Sequence, residues 1–381
     1  MEQRIISVPG ATGAAYAGLD EWLQAHDCKK LMLVCDRSIA FMEGLNRHLA
    51  EVERSGIAIV RFAEFQPNPL YEQAVKGTAL FRSEGCDCLM AVGGGSAIDV
   101  AKCIKRYAHA PGSGEDGAWL GAEIAPSHIP FLALPTTAGS GSEATRYAVL
   151  YDRGAKQSIT GESLIPDTVL MDPGALNTLP PYQKKATMMD ALCHALESMW
   201  SVNSTAESMA FSGEAIRLIL EHMEGSLANT PEGCAGMLLA AHTAGKAINI
   251  TQTTAGHAMC YQLTGLFGCA HGHAAILCDR VLFPWMIDHE DRCIDPRGPE
   301  QLNDAFRRIA EAMGCKDANS AAEKLNAIFE GLALEVPAAT AAQFALLKHT
   351  VNPVRLKNHP VALDEQTIDW LYHRILKEAA S

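Results

Sequence analysis

Short apolar runs alternate with helical patterns through the first half of the chain. The strand-like runs and the helical segments between them occupy residues 30–36, 38–51, 56–62, 71–85, 88–92, 97–107 and 130–135. Strands that alternate with helices in this way are typical of a parallel sheet with helices on its faces. We therefore predict a Rossmann-like α/β domain over residues 1–180.

The pattern changes after Pro181. Long segments such as 209–223 and 299–313 have helical periodicity, and few β-branched runs interrupt them. Paired prolines within 176–183 disfavour the continuation of either element, so this segment is a candidate linker. We predict an all-α domain over residues 181–381.

Composition limits the class of protein. With 381 residues, 48% of them hydrophobic, the chain can bury two cores, and its formal net charge of −13 argues against a general nucleic-acid partner. No apolar run reaches the roughly 18 residues of a membrane span, and the N-terminus does not resemble a secretory signal. The 12 cysteines are scattered, and Cys86 with Cys88 is too little for a metal site. We expect a cytoplasmic protein with reduced thiols, without a membrane or nucleic-acid partner.

A glycine-rich turn follows the strand-like run at 88–92, in the stretch AVGGGSAIDVAK. Gly93, Gly94 and Gly95 allow the backbone to approach a ligand, and free N–H groups beyond Ser96 form an anion site at a helix start. The stretch is neither GxGxxG nor a P-loop, so by itself it also fits a tight strand-to-helix turn. Lys102 is most simply a solvated helix lysine, although it could also face a carboxylate or phosphate.

A second loop, LPTTAGSGSEATR at 134–146, is rich in hydroxyl groups that suit a phosphate or a ribose. The alternative is a flexible surface loop, which is less favoured because both loops follow apolar strands, where α/β sheets bind ligands. Asp36 also ends a strand. Its carboxylate could bind a ribose diol and repel a 2′-phosphate, which favours NAD over NADP, although a capping role fits equally well.

Asp190 and His194 lie four residues apart in an otherwise apolar helical segment, so they share one helix face. His257, His271 and His273 interrupt a second apolar stretch. An aspartate and a histidine at this spacing can chelate one ion, and two more imidazoles would complete the shell. Fe²⁺, Zn²⁺ and Mn²⁺ all suit such ligands, and the spacing does not choose among them.

Four motifs in order, GGGSAIDVAK, PTTAGSGSE, MDALCHALE and AGHAMCYQLTGLFGCAHGHA, resemble the iron-containing (group III) alcohol dehydrogenases over nearly the whole chain. The resemblance implies a dehydroquinate synthase-like fold, a homodimer or higher homo-oligomer, and an active site between two domains. It also implies reversible hydride transfer between NAD(H) and a small aldehyde or alcohol. Fe²⁺ is the expected metal, with Zn²⁺ and Mn²⁺ as alternatives.

The resemblance also assigns residues. The metal ligands fall on Asp190, His194, His257 and His271. The cofactor contacts fall on Asp36, Asn68, Gly93, Gly94, Gly95, Ser96, Asp99, Thr136, Thr137, Ser140, Ser142 and Lys156. One departure is Tyr261, which stands where several members carry a proton-relaying histidine and leaves the proton route open.

The stretches DALCHALESMWSVNSTAES and AGKAINITQTTAGHAMCYQLT resemble the branch that includes sulfoacetaldehyde and phosphonoacetaldehyde reductases. The expected substrate is therefore a two-carbon aldehyde with an anionic group, reduced to isethionate or 2-hydroxyethylphosphonate. Candidate substrate contacts are Tyr261, Arg146, Arg355, Lys357 and Asn358. Three alternatives are a general short-chain alcohol dehydrogenase, a dehydroquinate synthase-type lyase, and a non-enzymatic protein with structural histidines.

Overall fold

The computed structural model describes residues 3–8, 16–351 and 356–379. The chain forms two compact units, one of Met1–Pro180 with Ala228–Leu238 and one of Pro181–Leu227 with Leu239–Ser381. Within the described residues, no helix is both long enough and apolar enough to cross a membrane.

A six-stranded sheet forms the centre of the first unit, and all its strands are parallel. Its strands are β1 (Arg4–Ser7), β2 (Lys30–Cys35), β3 (Ala58–Phe62), β4 (Cys88–Gly93), β5 (Phe131–Pro135) and β8 (Thr168–Met171). They are arranged in the order β1-β8-β5-β4-β2-β3. An antiparallel hairpin, β6 (Tyr147–Asp152) with β7 (Ala155–Thr160), lies outside this sheet.

Helices cover both faces of the sheet because both faces of its strands are apolar. The helices of this unit are α1 (Ala17–Ala25), α2 (Glu43–Arg54), α3 (Tyr71–Glu84) and α4 (Gly95–Tyr107). Along β2, Leu31 and Leu33 join a core that includes α1 and α2, and Met32 and Val34 join a core that includes α3 and α4. This two-residue alternation follows from the pleat of the strand.

The predicted α/β class is confirmed, with local differences. The segment predicted as one helix from 38 is a 3-10 turn over Arg37–Phe41 followed by α2, because the Asp36 side chain caps the turn through the backbone N–H of Ser38. The strand predicted from 56 begins at Ala58. The sequence prediction missed β1 and β8, since four residues are too few to establish a period.

The second unit is helical, as predicted. Its helices are α5 (Pro181–Trp200), α6 (Ala206–Leu227), the part of α7 (Pro231–Thr251) after Leu238, α8 (Ala255–Phe267), α9 (His271–Asp288), α10 (Pro299–Ala312), α11 (Ala318–Gly331), α12 (Ala341–Leu347) and α13 (Glu365–Ile375). A two-residue pairing joins β9 (Ala338–Ala339) and β10 (Lys377–Glu378). Pro181, inside the predicted linker, is the first residue of α5, a position that tolerates proline because its N–H would have no intrahelical partner.

A glycine sets the approach of α9 to α5. A Cβ atom on Gly272 would lie 2.0 Å from the carbonyl oxygen of Ala186 and 2.5 Å from Cβ of Asp190. Backbone atoms cannot give way as a flexible side chain can, so no larger residue fits without a shift of one helix. The neighbouring residue, His271, is brought beside Asp190 by this contact.

We predict that Gly272→Ala destabilises the protein by about 1–3 kcal/mol, because the added methyl group overpacks the contact between α5 and α9. The control is Gly265→Ala in α8, where nothing lies within 4 Å of an added Cβ. That change should be neutral or stabilise by up to about 1 kcal/mol through helix propensity. Urea denaturation of the two variants measures both effects, and equal stability would contradict the packing argument.

Candidate metal and nucleotide sites

Three of the predicted nucleotide-binding segments meet at the carboxyl ends of neighbouring strands. Asp36 follows β2, and its carboxylate accepts hydrogen bonds from the backbone N–H groups of Ser38 (2.8 Å) and Gly94 (3.1 Å). The Ser38 hydroxyl also donates to the Asp36 carboxylate (2.5 Å), and its oxygen lies 3.1 Å from the hydroxyl oxygen of Thr136, which follows β5. The carboxylate therefore caps a turn, as one interpretation of Asp36 expected, and also contacts the glycine loop.

The glycines of the first loop pack against the second loop and against Asp36. A Cβ atom on Gly93 would lie 2.5 Å from the Asp36 carboxylate, and one on Gly95 would lie 2.8 Å from the Ser140 hydroxyl oxygen. On Gly94 the added atom would be 3.3 Å from Thr137. The side chains that crowd these positions explain why the loop consists of glycine.

The remaining predicted nucleotide contacts surround the start of α4. The Ser96 hydroxyl oxygen accepts a hydrogen bond from the backbone N–H of Asn68 (3.3 Å). Asp99, one turn further along α4, accepts a hydrogen bond from the Ser142 hydroxyl (2.6 Å), and its carboxyl also interacts electrostatically with Lys156. The structure thus gathers the predicted cofactor residues at one edge of the sheet.

Lys102 is buried and holds the second loop through hydrogen bonds, so the expectation of a solvated lysine is wrong. Its ammonium group is inaccessible to solvent and donates to the carbonyl oxygens of Ser142 (2.6 Å), Thr145 (2.6 Å) and Tyr147 (2.7 Å). Burial lowers its pKa to about 8, against the opposing effect of Asp99. The i, i+3 spacing from Asp99, which places both side chains on one helix face, was the available sequence signal.

In the second unit, α5, α8 and α9 bring one carboxylate and three imidazoles together. Asp190 Oδ1 lies close to the Nε2 atoms of three histidines, at 3.4 Å for His257, 3.8 Å for His194 and 3.9 Å for His271. The rings of His194 and His257 stack with centroids 4.6 Å apart. These are the four residues that the family resemblance implied as metal ligands.

The residues present fit a divalent metal. Asp190 Oδ1 and His257 Nε2 are buried and have no hydrogen-bond partner among the described residues. A buried polar atom without a partner costs free energy, and a cation between the two atoms would remove that cost. Potential ligand atoms of Asp190, His257 and His271 also lie within 4.8 Å of one another. Carboxylate and imidazole donors suit Fe²⁺, Zn²⁺ and Mn²⁺.

The electrostatic environment keeps Asp190 anionic. Burial by itself would raise the pKa of its carboxyl, but the neighbouring imidazoles of His194, His271 and His257 outweigh burial and hold the pKa well below its usual range. The carboxylate is therefore available as an anionic ligand across the neutral pH range.

Glu197 is a functional residue that the sequence analysis missed. It is fully buried on α5, and its Oε1 accepts hydrogen bonds from Nδ1 and from the backbone N–H (3.0 Å) of His257. Its Oε2 accepts from the backbone N–H and the hydroxyl (2.7 Å) of Thr254. Burial would raise its pKa, but His257 and Thr254 lower it to about 2.

The contact with Glu197 fixes the ring of His257 so that Nε2 faces Asp190, as carboxylates commonly orient metal-binding histidines. A sequence signal for this role was present. Glu197 lies seven residues after Asp190 and three after His194, which puts all three residues on one face of α5.

A second buried carboxyl lies behind Glu197. A Cβ atom on Gly256 would lie 1.9 Å from Asp279 Oδ1 and 2.8 Å from Glu197 Oε1, so both acids crowd the same glycine. Burial and the negative charge of Glu197 raise the pKa of Asp279 well above its usual range. Its neutral form is therefore favoured over the carboxylate. Asp279 lies within an otherwise apolar stretch of α9, and the sequence analysis did not identify it.

The other predicted residues of this unit are placed as follows. The Tyr261 ring stacks on that of His271, with centroids 5.7 Å apart and the planes inclined by 10°. His273 is a buried core residue, with its Nδ1 3.0 Å from the hydroxyl oxygen of Tyr182 and its pKa lowered by burial. Tyr261 thus lies beside the ligand cluster. His273 is not part of that cluster and contacts Tyr182.

The candidate substrate contacts differ in whether their side chains already form ion pairs or hydrogen bonds within the protein. Arg146 forms an ion pair with Glu162 (2.8 Å) and donates to the hydroxyl oxygen of Tyr147. Asn358 is buried and donates to the carbonyl oxygen of Thr253 (3.0 Å). Lys357 is exposed. Arg355 lies outside the described residues.

Comparison with known proteins identifies the family. Residues 11–173 match the model of iron-containing alcohol dehydrogenases, and residues 184–347 match the C-terminal model of the Fe-containing alcohol dehydrogenase family. The chain belongs to the iron-containing alcohol dehydrogenase family. The predicted family and enzyme class are thereby confirmed.

Two curated relatives with different named activities are similar to this sequence. An NAD-dependent methanol dehydrogenase from Bacillus methanolicus is 33% identical over 67% of this chain and 67% of its own length. A phosphonoacetaldehyde reductase from Streptomyces viridochromogenes is 33% identical over 63% of this chain, and the match spans 64% of the reductase.

Solved structures confirm the fold. A sulfoacetaldehyde reductase from Bifidobacterium kashiwanohense, determined in complex with NAD⁺, has 25% identity and a TM-score of 0.85, with 98% of this chain and 96% of that chain covered. A 1,3-propanediol oxidoreductase has 27% identity and a TM-score of 0.83, with 98% of each chain covered. The fold is the dehydroquinate synthase-like fold that the sequence predicted.

We predict that Glu197→Gln weakens metal binding by about 10–100-fold, because loss of the carboxylate removes the charged acceptor that orients His257. Competition with a chelator, followed by metal analysis, measures the affinity. Glu207→Gln, at an exposed position in α6, is the control and should bind metal normally. Unchanged affinity in the Glu197 variant would show that the contact with His257 does not orient a ligand.

Proposed function

We propose that the chain catalyses reversible, NADH-dependent reduction of a small anionic two-carbon aldehyde at a metal centre held by Asp190, His194, His257 and His271. The observation that carries the metal centre is the convergence of these side chains around Asp190 Oδ1 and His257 Nε2, both buried without hydrogen-bond partners among the described residues. Iron is the proposed metal, in keeping with the family, and Zn²⁺ and Mn²⁺ suit the same ligands.

A bound divalent metal would supply Lewis acidity at the carbonyl oxygen of the substrate. The protein residues would hold and orient its ligands. Asp190 contributes a carboxylate that stays ionised at neutral pH. Glu197 keeps the proton of His257 on Nδ1, so that the lone pair of Nε2 is available to a metal. Burial and the charge of Glu197 raise the pKa of the neighbouring Asp279 carboxyl well above its usual range, which disfavours a second negative charge in this buried region.

The glycine loop supports the nucleotide part of the proposal. Residues 93–96 form the turn from β4 into α4, where backbone N–H groups favour a pyrophosphate. The hydroxyl groups of Thr136 and Thr137 lie at the end of the adjacent β5 and suit a phosphate or ribose. Asp36 contacts the same turn, and its oxygens have further lone pairs for a ribose diol.

Similarity to a sulfoacetaldehyde reductase and a phosphonoacetaldehyde reductase supports the anionic substrate, with sulfoacetaldehyde preferred. Of the proposed cationic contacts, Lys357 is exposed and lies two residues after Arg355 in the sequence. Arg146 already forms an ion pair with Glu162. That engagement, with the similarity to a methanol dehydrogenase, favours a second candidate, a general short-chain alcohol dehydrogenase.

We predict that sulfoacetaldehyde and phosphonoacetaldehyde are reduced with kcat/KM roughly 10–100-fold above that for propanal, as expected for one charged hydrogen bond of about 1.5–3 kcal/mol. Steady-state NADH oxidation with Fe²⁺, Mn²⁺ or Zn²⁺ measures the ratio. Arg355→Met or Lys357→Met should reduce activity on the anionic aldehydes and spare propanal, which lacks the contacted group.

The control for these variants is Lys316→Met, at an exposed lysine whose ammonium group lies 3.8 Å from Asp317. Equal efficiency on all three aldehydes would exclude the anionic substrate class and leave the general alcohol dehydrogenase. His257→Ala tests the metal centre separately. It should abolish activity and lower metal content while NADH binding persists, and a fully active variant would disprove the metal assignment.

We predict that the wild-type protein uses NADH in preference to NADPH, and that Asp36→Ser raises relative activity with NADPH. The carboxylate would face the 2′-phosphate, so its removal relieves charge repulsion. Asp36→Asn, which keeps the shape and removes the charge, should shift the preference in the same direction. Comparison of kcat/KM for both cofactors provides the measurement, and a wild-type protein equally active with NADPH would refute the role of Asp36.

A further inference from the structure

A second group of metal-ligating atoms lies in the first unit, at the amino ends of β2 and β4. The nucleotide loops follow the opposite, carboxyl ends of these strands. Cys28 precedes β2, and Asp87 and Cys88 lie where β4 begins. The two thiol sulfurs and a carboxylate oxygen of Asp87 all lie within 4.8 Å of one another.

Main-chain hydrogen bonds hold the carboxylate in place. The backbone N–H of Asp87 donates to the carbonyl oxygen of Lys30 (3.0 Å). In return, the Asp87 carboxylate accepts hydrogen bonds from the backbone N–H groups of Lys29 (3.0 Å) and Lys30 (3.2 Å). The segment before β2 and the start of β4 are thus joined, and the carboxylate is oriented without using all its lone pairs.

The thiols are fixed in the same way. The backbone N–H of Cys28 donates to the carbonyl oxygen of Leu23 (3.0 Å), at the end of α1, and Cys88 is paired with Leu31 in the parallel register of β4 and β2. Cys28 is 4% exposed and Cys88 is 1% exposed, whereas Asp87 is exposed. Two buried sulfurs and one solvent-facing carboxylate therefore surround the same position.

Cys28 is also part of the lining of a surface groove of about 620 Å³. Asp20, Asp27 and Glu51 also line the groove, and these carboxylates favour the approach of a cation. Asp20 contacts His48, and Asp27 forms an ion pair with Lys29, so the attraction is partly offset.

We propose that Cys28, Cys88 and Asp87 bind a soft divalent cation of the Zn²⁺ class, with water as the fourth ligand. Zn²⁺ takes tetrahedral sets of thiolate and carboxylate ligands, and three protein ligands leave one position for water. Binding would release one proton from each thiol, so the affinity should increase with pH. Sulfur donors distinguish this site from the Asp190 cluster, whose nitrogen and oxygen donors also suit Fe²⁺.

A bound ion would connect residue 28 with residue 88 and so close a loop that contains β2, α2, β3 and α3. Because the unfolded chain has no such preformed arrangement of ligands, binding would favour the folded state of the first unit. The expected role is therefore structural, and it requires no change in the dehydrogenase chemistry.

The experiment uses the full-length protein with its Asp190 cluster already loaded with metal, so that this cluster does not compete for the probe. Cd²⁺ is titrated under reducing conditions, and thiolate-to-metal charge-transfer absorption in the ultraviolet reports sulfur coordination. We expect one Cd²⁺ per chain with this absorption, and a melting temperature that rises when Zn²⁺ or Cd²⁺ is added.

Cys28→Ser and Cys88→Ser should each reduce the absorption and remove the rise in melting temperature. Cys86→Ser is the matched control, because Cys86 is also buried, lies two residues from Cys88 and is outside the cluster. If a cysteine variant fails to fold, Asp87→Asn still tests the site at an exposed position, where binding should weaken by at least about tenfold.

Three results would overturn the proposal. The first is the absence of thiolate absorption on addition of Cd²⁺, and the second is absorption that Cys28→Ser and Cys88→Ser leave unchanged. The third is a disulfide between Cys28 and Cys88 in protein purified without reductant, found by intact-mass measurement and peptide mapping, if that disulfide also resists mild reduction. That result would mean that the pair is a covalent link and not a metal site.

Discussion

The buried charge of Asp190 is the constraint on which the second unit depends. A carboxylate within an apolar helix is costly unless cations or hydrogen-bond donors surround it. Here three imidazoles from α5, α8 and α9 lie within 4 Å, and Gly272 permits the close approach that brings His271 among them. The helices that form the core therefore also determine the geometry of the candidate metal centre.

Buried charges organise the first unit in a similar way. Lys102 joins three carbonyl oxygens of the 142–147 loop, and Asp36 joins its own turn to the glycine loop. Hydrogen bonds to charged groups are directional, so they fix loops that few apolar contacts could hold. Such contacts hold the loops of the candidate nucleotide site in one arrangement, which would reduce the conformational cost of binding.

Sequence-based prediction succeeded where the signal was local. The alternation of strands and helices gave the α/β sheet, and the spacing of Asp190 and His194 gave two ligands on one helix face. Glu197 has the same periodic signal and was still missed, because a glutamate near a helix end is also a common surface residue. Lys102 was misassigned for a related reason, since its burial depends on the loop that packs over α4.

The sequence by itself determined the class of fold, the family and the residue types available for metal and nucleotide binding. Only the tertiary structure decided which of those residues meet. Asp279 lies behind Glu197, and Cys28 lies beside Cys88 although they are far apart in the chain. The physical reason is that helix and strand periods fix neighbours along one element. Distances between elements follow instead from how side chains pack, as at Gly256 and Gly272.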